Sequence, residues 1–516
     1  MRILVDYRPA LRERTGVGEF AHELSNALSQ QAGDDEIAVF TGSWKDRPDP
    51  SLASQMPSIR IVDVKIPVRA LVWSWNRLEW PPVEWFAGPC DVVHSQSPLL
   101  IPAQHAAQVV TVHDLDFLRH PEQMSAEIRR DYPALARSHA ARAHAVVVSS
   151  GYAAGEVTRE LQLDPSRVHV CPPGRPAWAD EVRRRRDVDD GRGHHILFMG
   201  TLSLRKNVGT LLEAYARLRS QLPGAPPLVL AGHRTPASSR WEARCEQTPL
   251  KGHITITGYV SAAQKIDLYA NAAMLVLPSY EEGFGLPVLE AMACGVPVVI
   301  SSRGSLPEVA GNAATPVEPD DVDGFVAQMQ ALLEDPSGAI ARGAQQASGY
   351  TWAACAVAAR QAYRSAIEVH ARRDCRARAV WTADRRRPLP GRLAHGVGEK
   401  RRGAPPSLDA AHPRAAQSRS RLECVTRGCR RRRRQRVGAV CVARCVTPRT
   451  SGRVLRSGIH CSTNRDVSAS RDDSRRVVLR TPGVVLIPRG PAPPSAHGLV
   501  GASRTQGDHR HRILQD

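Results

Sequence analysis

Short apolar runs alternate with helix-patterned segments along the first 370 residues, in two separate series. In the first, 2–5, 37–40, 59–64, 92–94, 109–112 and 145–148 read as strands, with helical patterns such as 20–28 and 126–143 between several of them. Runs this short and this apolar suit strands covered on both faces, and strand–helix alternation puts such strands in a parallel sheet. The second series opens at 196–199 and continues through a helix at 208–222 and strands at 228–230 and 254–256. A helix at 262–270 and a strand at 274–277 follow, and 324–333 and 351–369 read as its closing helices. Between the series the pattern stops near Cys171-Pro172-Pro173-Gly174, and 181–195 is charged and Gly-containing. The expected organisation is an α/β chain of two Rossmann-like, doubly wound domains facing a cleft. Its parts are a first domain over 1–175, a linker over 176–195, a second domain over 196–350 and a closing helix over 351–370. In such sheets ligands bind outside the carboxyl ends of the strands.

Charge separates the remainder from this body. The chain carries a formal +19, but 33 arginines and one lysine face 10 acidic residues after position 370. That tail holds +24 and leaves residues 1–370 at −5. Residues 371–516 contain no Phe or Tyr and only Trp381, too little to build a core, so a disordered basic tail is expected. Three readings fit it. It is an arm for nucleic acid or an anionic surface, acting through runs such as Arg430–Arg436; or a zinc site among Cys424, Cys429, Cys441, Cys445 and Cys461, whose spacing lacks a C-x-x-C; or an out-of-frame translation of a GC-rich gene. Arg in place of Lys, no hydrophobic period and an abrupt onset favour the third, and the acidic body makes nucleic acid an unfavoured partner. Cys90, Cys171, Cys245, Cys294 and Cys355 show no paired spacing, and no apolar run reaches about 18 residues. A cytoplasmic protein with reduced thiols is expected.

The chemistry-bearing residues fall at predicted strand ends. Glu282 and Glu290 stand eight positions apart around Gly283-Phe284-Gly285-Leu286, after the strand at 274–277. Pro287 suits a first helical position and Gly295 the position past the helix end, which puts Glu290 in the first turn and 296–300 in the next strand. The glycines leave room for a ligand beside the main chain, and helix N–H groups favour phosphate. Arg205 and Lys206 follow the strand at 196–199, just before Asn207, which reads as the N-cap of the next helix. Together they suit a diphosphate, Arg as a fork and Lys as a point charge. Thr15-Gly16-Val17-Gly18 reads as a turn after the first strand, and His113-Asp114 ends the strand at 109–112, facing the same cleft. No helical i, i+4 pair or Cys supports zinc at His94, His113 and His120. Trp73, Trp75, Trp80 and Trp85 crowd a segment with Arg69 and Arg77. They read as an aromatic patch packing a loop onto the first domain, ahead of a membrane-interface or acceptor contact.

These motifs resemble glycosyltransferase family 4, whose members are retaining, nucleotide-sugar-dependent enzymes of the GT-B fold. The resemblance rests on Pro278 to Val298 with its E-x₇-E spacing, and on Gly200 with Arg205-Lys206-Asn207. Asp91-Val92-Val93-His94, His113-Asp114, Val147 to Ser150 and Pro307-Glu308-Val309 add to it. It implies that Glu290 holds the nucleotide ribose and Glu282 the hydroxyls of the transferred sugar. Gly283, Phe284, Gly285 and Leu286 would offer N–H groups, Arg205 and Lys206 would neutralise the diphosphate, and Gly16 and Gly18 would close over it. His113 would contact the donor sugar near the reacting carbon. A hexosyl unit such as mannosyl would pass from a nucleoside-diphosphate sugar to a glycan or lipid-linked acceptor, without a metal or other cofactor. Peripheral association with the inner face of the membrane fits such an acceptor.

Overall fold

The computed structural model describes residues 1–384 apart from 12–13, 15, 122–125 and 189–192, and for 126–130, 188 and 376–384 it describes the backbone alone. The tail beyond 384, with its arginine runs and cysteines, lies outside the described residues, as does Thr15.

Two all-parallel sheets carry the body. The first consists of β1 (Arg2–Asp6), β2 (Glu36–Phe40), β3 (Ile59–Val62), β4 (Val92–Ser95), β5 (Ala107–Thr111), β6 (Ala145–Val148) and β7 (Val168–Val170). They lie in the order β3-β2-β1-β4-β5-β6-β7. In register, Ile3 pairs with Ile37 on one side and with Val92 on the other. The second sheet contains β8 (His195–Met199), β9 (Leu228–Ala231), β10 (Ile254–Gly258), β11 (Ala272–Leu277) and β12 (Val298–Ile300), in the order β10-β9-β8-β11-β12. Strand order reverses between β1 and β4, and again between β8 and β11, so each sheet opens a crevice at its carboxyl end. Both sheets are covered on each face, which is why their strands read as unbroken apolar runs: β6, β8, β9 and β11 are buried along their length.

Several expectations change. β7 has only two apolar residues flanking His169, too short to read as a strand. The helix expected at 20–28 runs Gly16–Gln30, so Gly16 and Gly18 open the helix instead of forming a turn before it. The stretch read as a linker holds the helix Ala179–Val188. Ala179 and Val182 enter the second domain's core. Buried Arg186 donates to the carbonyls of Tyr269, Ala270 and Ala272 at 3.3, 3.1 and 2.6 Å. One charge of the segment, that of Arg186, is thus met by carbonyl oxygens, while Arg183, Arg184 and Arg185 stay exposed. The closing helix spans Trp352–Asp384, past the expected end at 370, and returns to the first domain. Its Cys355, Ala359, Ala362, Tyr363 and Ala366 pack with Ile3, Val5, Val92 and Val109 of the first sheet. Small residues at helical spacing let its backbone approach that sheet. Tyr363 Oη lies 2.8 Å from Nδ1 of buried His94, whose Nε2 is 2.7 Å from Thr111 Oγ1, so this imidazole is fully engaged.

The tryptophan segment also differs from expectation. Only Trp75 packs inward, against Phe40 and under the Arg8 guanidinium, whereas Trp73, Trp80 and Trp85 are 60, 52 and 63 % exposed. No helix among the described residues is long and apolar enough to cross a membrane.

Candidate active site

A cavity of about 390 Å³ lies between the carboxyl ends of the two sheets. Gly16, His113, Arg205, Lys206, Glu282 to Leu286 and Glu290 all line it. Gly18 does not: a Cβ there would stand 2.7 Å from the Pro9 carbonyl oxygen, so this glycine serves a close approach between the first helix and the turn Arg8–Ala10. Gly16 lies across from Leu286, whose Cδ1 is 3.8 Å from where a Cβ would be.

The second domain builds one wall from the ends of β8 and β11. After β8 the chain turns through Leu204–Lys206 to Asn207, which takes a left-handed φ of 53°. Asn207 stands at the start of the helix Val208–Gln221 without capping it. Its amide instead donates to the Pro278 and Pro319 carbonyls at 3.2 and 2.7 Å, stapling the two loops together. Lys206 is thereby held against Glu282, its Nζ donating to Oε1, and Ser279 Oγ donates to the same oxygen at 2.7 Å. The Arg205 guanidinium lies 3.7 Å from Glu282 Oε2 and 3.6 Å from each of Asp114 and Asp116. Burial alone pushes the Glu282 carboxyl up, but Lys206 and Arg205 outweigh it and hold the group below its usual range. Burial lowers the Lys206 ammonium against the pull of Glu282.

After β11 the loop reaches the helix Leu286–Ala293, whose amino end has no side-chain cap. Glu290 is the fifth residue of this helix, in its second turn, and Pro287 is its second residue; each stands one place deeper than the sequence suggests. The two loop glycines do different work. Gly285 takes φ 90°, which glycine tolerates, while Gly283 leaves no space for a side chain, since a Cβ would stand 1.8 Å from the His113 carbonyl oxygen. Glu290 is buried and accepts from Tyr269 Oη at 2.8 Å and from Lys265 Nζ. Burial works against the Lys265 charge, but Glu290 more than offsets it and raises its pKa. Lys265 and Tyr269 escape the sequence reading. Their signal is a spacing of four on the helix Ala262–Ala270, which puts both on one face.

The first domain supplies the facing wall. His113 follows β5 and its ring meets Phe20 edge-on, with centroids 5.2 Å apart. Burial lowers its pKa to about 4, against the opposing effects of Asp114 and a backbone hydrogen bond to Gln96. The ring is therefore neutral near pH 7, and its buried Nε2 has no protein partner. The whole arrangement offers an anion two cations and a helix amino end, and offers hydroxyl groups two carboxylates and an imidazole nitrogen.

Residues 14–177 match the family described as Glycosyltransferase Family 4, and residues 181–348 the family described as Glycosyl transferases group 1. The O-antigen chain mannosyltransferase B of Escherichia coli is 28% identical over 388 residues, 70% of this chain and 100% of that protein. The glycogen synthase of Mycobacterium tuberculosis is 30% identical over 291 residues, 54% of this chain and 69% of that enzyme. Among solved structures, sucrose-phosphate synthase from Thermosynechococcus elongatus superposes with a TM-score of 0.55 at 21% identity, covering 70% of this chain and 98% of its own. With both halves of the body matched and the sheets arranged as two facing parallel-sheet domains, the chain belongs to glycosyltransferase family 4 and is a glycosyltransferase of the GT-B fold.

Proposed function

We propose that this enzyme moves a hexosyl unit, mannosyl foremost, from a nucleoside-diphosphate sugar to a glycan or lipid-linked acceptor. The observation that carries the reading is the Lys206–Glu282 pair, buried beside Arg205 in the cavity that His113 also lines. Breaking a sugar–phosphate bond develops negative charge on the diphosphate and positive charge on the sugar. Arg205, Lys206 and the amino end of Leu286–Ala293 are already in place for the first, and stabilise it without reorganising. Glu282 takes the sugar's hydroxyls, and Glu290, steadied by Lys265 and Tyr269, takes the ribose. The neutral His113 ring accepts a donor-sugar hydroxyl at Nε2. Likeness to an O-antigen chain mannosyltransferase across 70% of the chain supports mannosyl.

A panel of UDP- and GDP-hexoses, assayed for release of the nucleoside diphosphate and for product, tests the reading. Transfer from one donor, lost by more than about 100-fold in Glu282→Ala and Lys206→Ala folded variants, is expected. Full activity in both variants sinks the assignment. With two cations on the diphosphate, turnover should persist in excess EDTA; loss of transfer on chelation, restored by a divalent ion, contradicts the metal-free reading.

An exposed face of the first domain suits a lipid-linked acceptor. On the helix Val68–Leu78, Arg69, Trp73 and Arg77 recur every fourth residue, and Leu78, Trp80 and Trp85 continue the apolar surface. Indoles with flanking arginines favour an anionic bilayer interface. Co-sedimentation with vesicles containing anionic lipid, lost in a Trp73/Trp80/Trp85→Ala triple variant, is expected. Equal recovery of both proteins refutes it.

A further inference from the structure

The loop that carries Glu282 is held from both domains. Its own domain supplies Ser305, whose N–H and Oγ both donate to the Glu282 carbonyl, at 3.1 and 3.0 Å. The first domain supplies the rest. Ser149 and Ser150, directly after β6, both donate to the Gly283 carbonyl, at 3.0 and 2.7 Å. Arg119 lies 2.9 Å from the Glu281 carboxylate, and Tyr152 Oη donates to it at 2.9 Å. A return contact starts from Glu308, in the helix Leu306–Ala310 that Ser305 leads into. Its Oε1 accepts the Gly151 N–H at 2.8 Å and its Oε2 the Tyr152 N–H at 2.9 Å, at the amino end of the helix Gly151–Glu160. A carboxylate set bidentately on two helix-end amides is charge-assisted and favoured by the helix dipole. Glu308 itself does not line the cavity.

We infer that these contacts are a latch. When Glu308 seats on residues 151–152, the loop 281–285 is fixed in the shape that receives the donor sugar, so assembly of the site is coupled to closure of the two domains. The inference rests on the donor-site reading above. Glu308 is a positioning residue: it acts through Glu282 and the backbone of Gly283. Because the nucleoside diphosphate is held by groups of the second domain, breaking the latch lowers turnover more than nucleotide affinity.

The test uses the full chain carrying Glu308→Ala or Glu308→Gln. Turnover is measured with the hexosyl donor that the wild type accepts, UDP and GDP binding by calorimetry, and amide exchange at Gly151 and Tyr152 by NMR or mass spectrometry. Glu308→Ala should lower kcat about 30-fold, leave UDP or GDP affinity within about threefold, and speed exchange at the two amides at least about tenfold. Glu308→Gln, which keeps one acceptor oxygen, should recover part of the turnover, and the unfolding midpoints should match the wild type. Unchanged exchange in Glu308→Ala overturns the latch. So does faster exchange with kcat retained, or a loss of kcat that follows a fall in unfolding midpoint. If the wild type transfers from no sugar nucleotide, the donor reading fails, and exchange at Gly151 and Tyr152 decides the latch alone.

Discussion

Gly283 shows how little freedom individual residues have in this cleft. With the His113 carbonyl where a Cβ would stand, Gly283→Ala must push the loop away from the first domain. Transfer should fall by more than about 100-fold, with the unfolding free energy lower by about 1–3 kcal/mol, as chemical denaturation will read. Glu290 makes a second case. Lys265→Met removes the cation that holds this buried carboxylate, so donor KM should rise by about tenfold or more in steady-state kinetics. A KM equal to the wild type contradicts the support role. Both glutamates, the basic pair and the imidazole were legible from residue type and strand-end position. Lys265 and Tyr269 were not, because a Lys and a Tyr on an amphipathic helix look like any exposed face until a buried carboxylate lies against them. Gly18 was misassigned for a related reason, since a glycine that admits a neighbouring carbonyl and one that admits a ligand have the same sequence signature.

Most strands read correctly because their apolar continuity is a local property. β1, β2, β5, β6, β8 and β11 lie where the apolar runs lie, while β7 is too short to show any period. Helix addresses were harder. The closing helix has a clear small-residue stripe, but nothing in that stripe says which sheet receives it. It packs on the first, where Arg360 donates to Asp35 at 3.0 Å and to the Leu28 and Gln31 carbonyls at 3.0 and 2.6 Å. Ala359→Leu, at a fully buried position of that stripe, should cost about 1–3 kcal/mol and lower the thermal midpoint. The same change at exposed Ala371 should do neither. Equal midpoints would place the helix elsewhere.

For the molecule as a whole, the tail and the body separate further along the chain than charge alone suggests. His370 and Arg373 still contact the first domain, through His144 Nε2 at 3.2 Å and the Arg142 carbonyl at 2.7 Å. A chain ending at Asp384 should therefore keep full transfer, and one ending at residue 365 should lose stability; activity of each, beside its unfolding midpoint, checks this. Stability should also depend on pH through Glu23. Burial first, then Glu19, pushes its carboxyl from 4.5 up to about 7. Between those values the folded chain keeps a proton that the unfolded chain has released, so this group's contribution declines as pH rises through that window. Glu23→Gln should raise the midpoint relative to the wild type at pH 8 and leave it level at pH 4.5; a constant difference would discount the group. By itself the sequence determined the two βα series, the strand-end loops and the residue types that meet an anion and a sugar, because each is written in local period and composition. Only the tertiary structure decided that the supposed linker belongs to the second core, that the last helix returns to the first, and that Ser149, Ser150 and Glu308 tie the donor loop across the cleft. The ties across the cleft join residues more than 130 positions apart, and no local period links their ends, so they exist only once both sheets are packed and their loops meet.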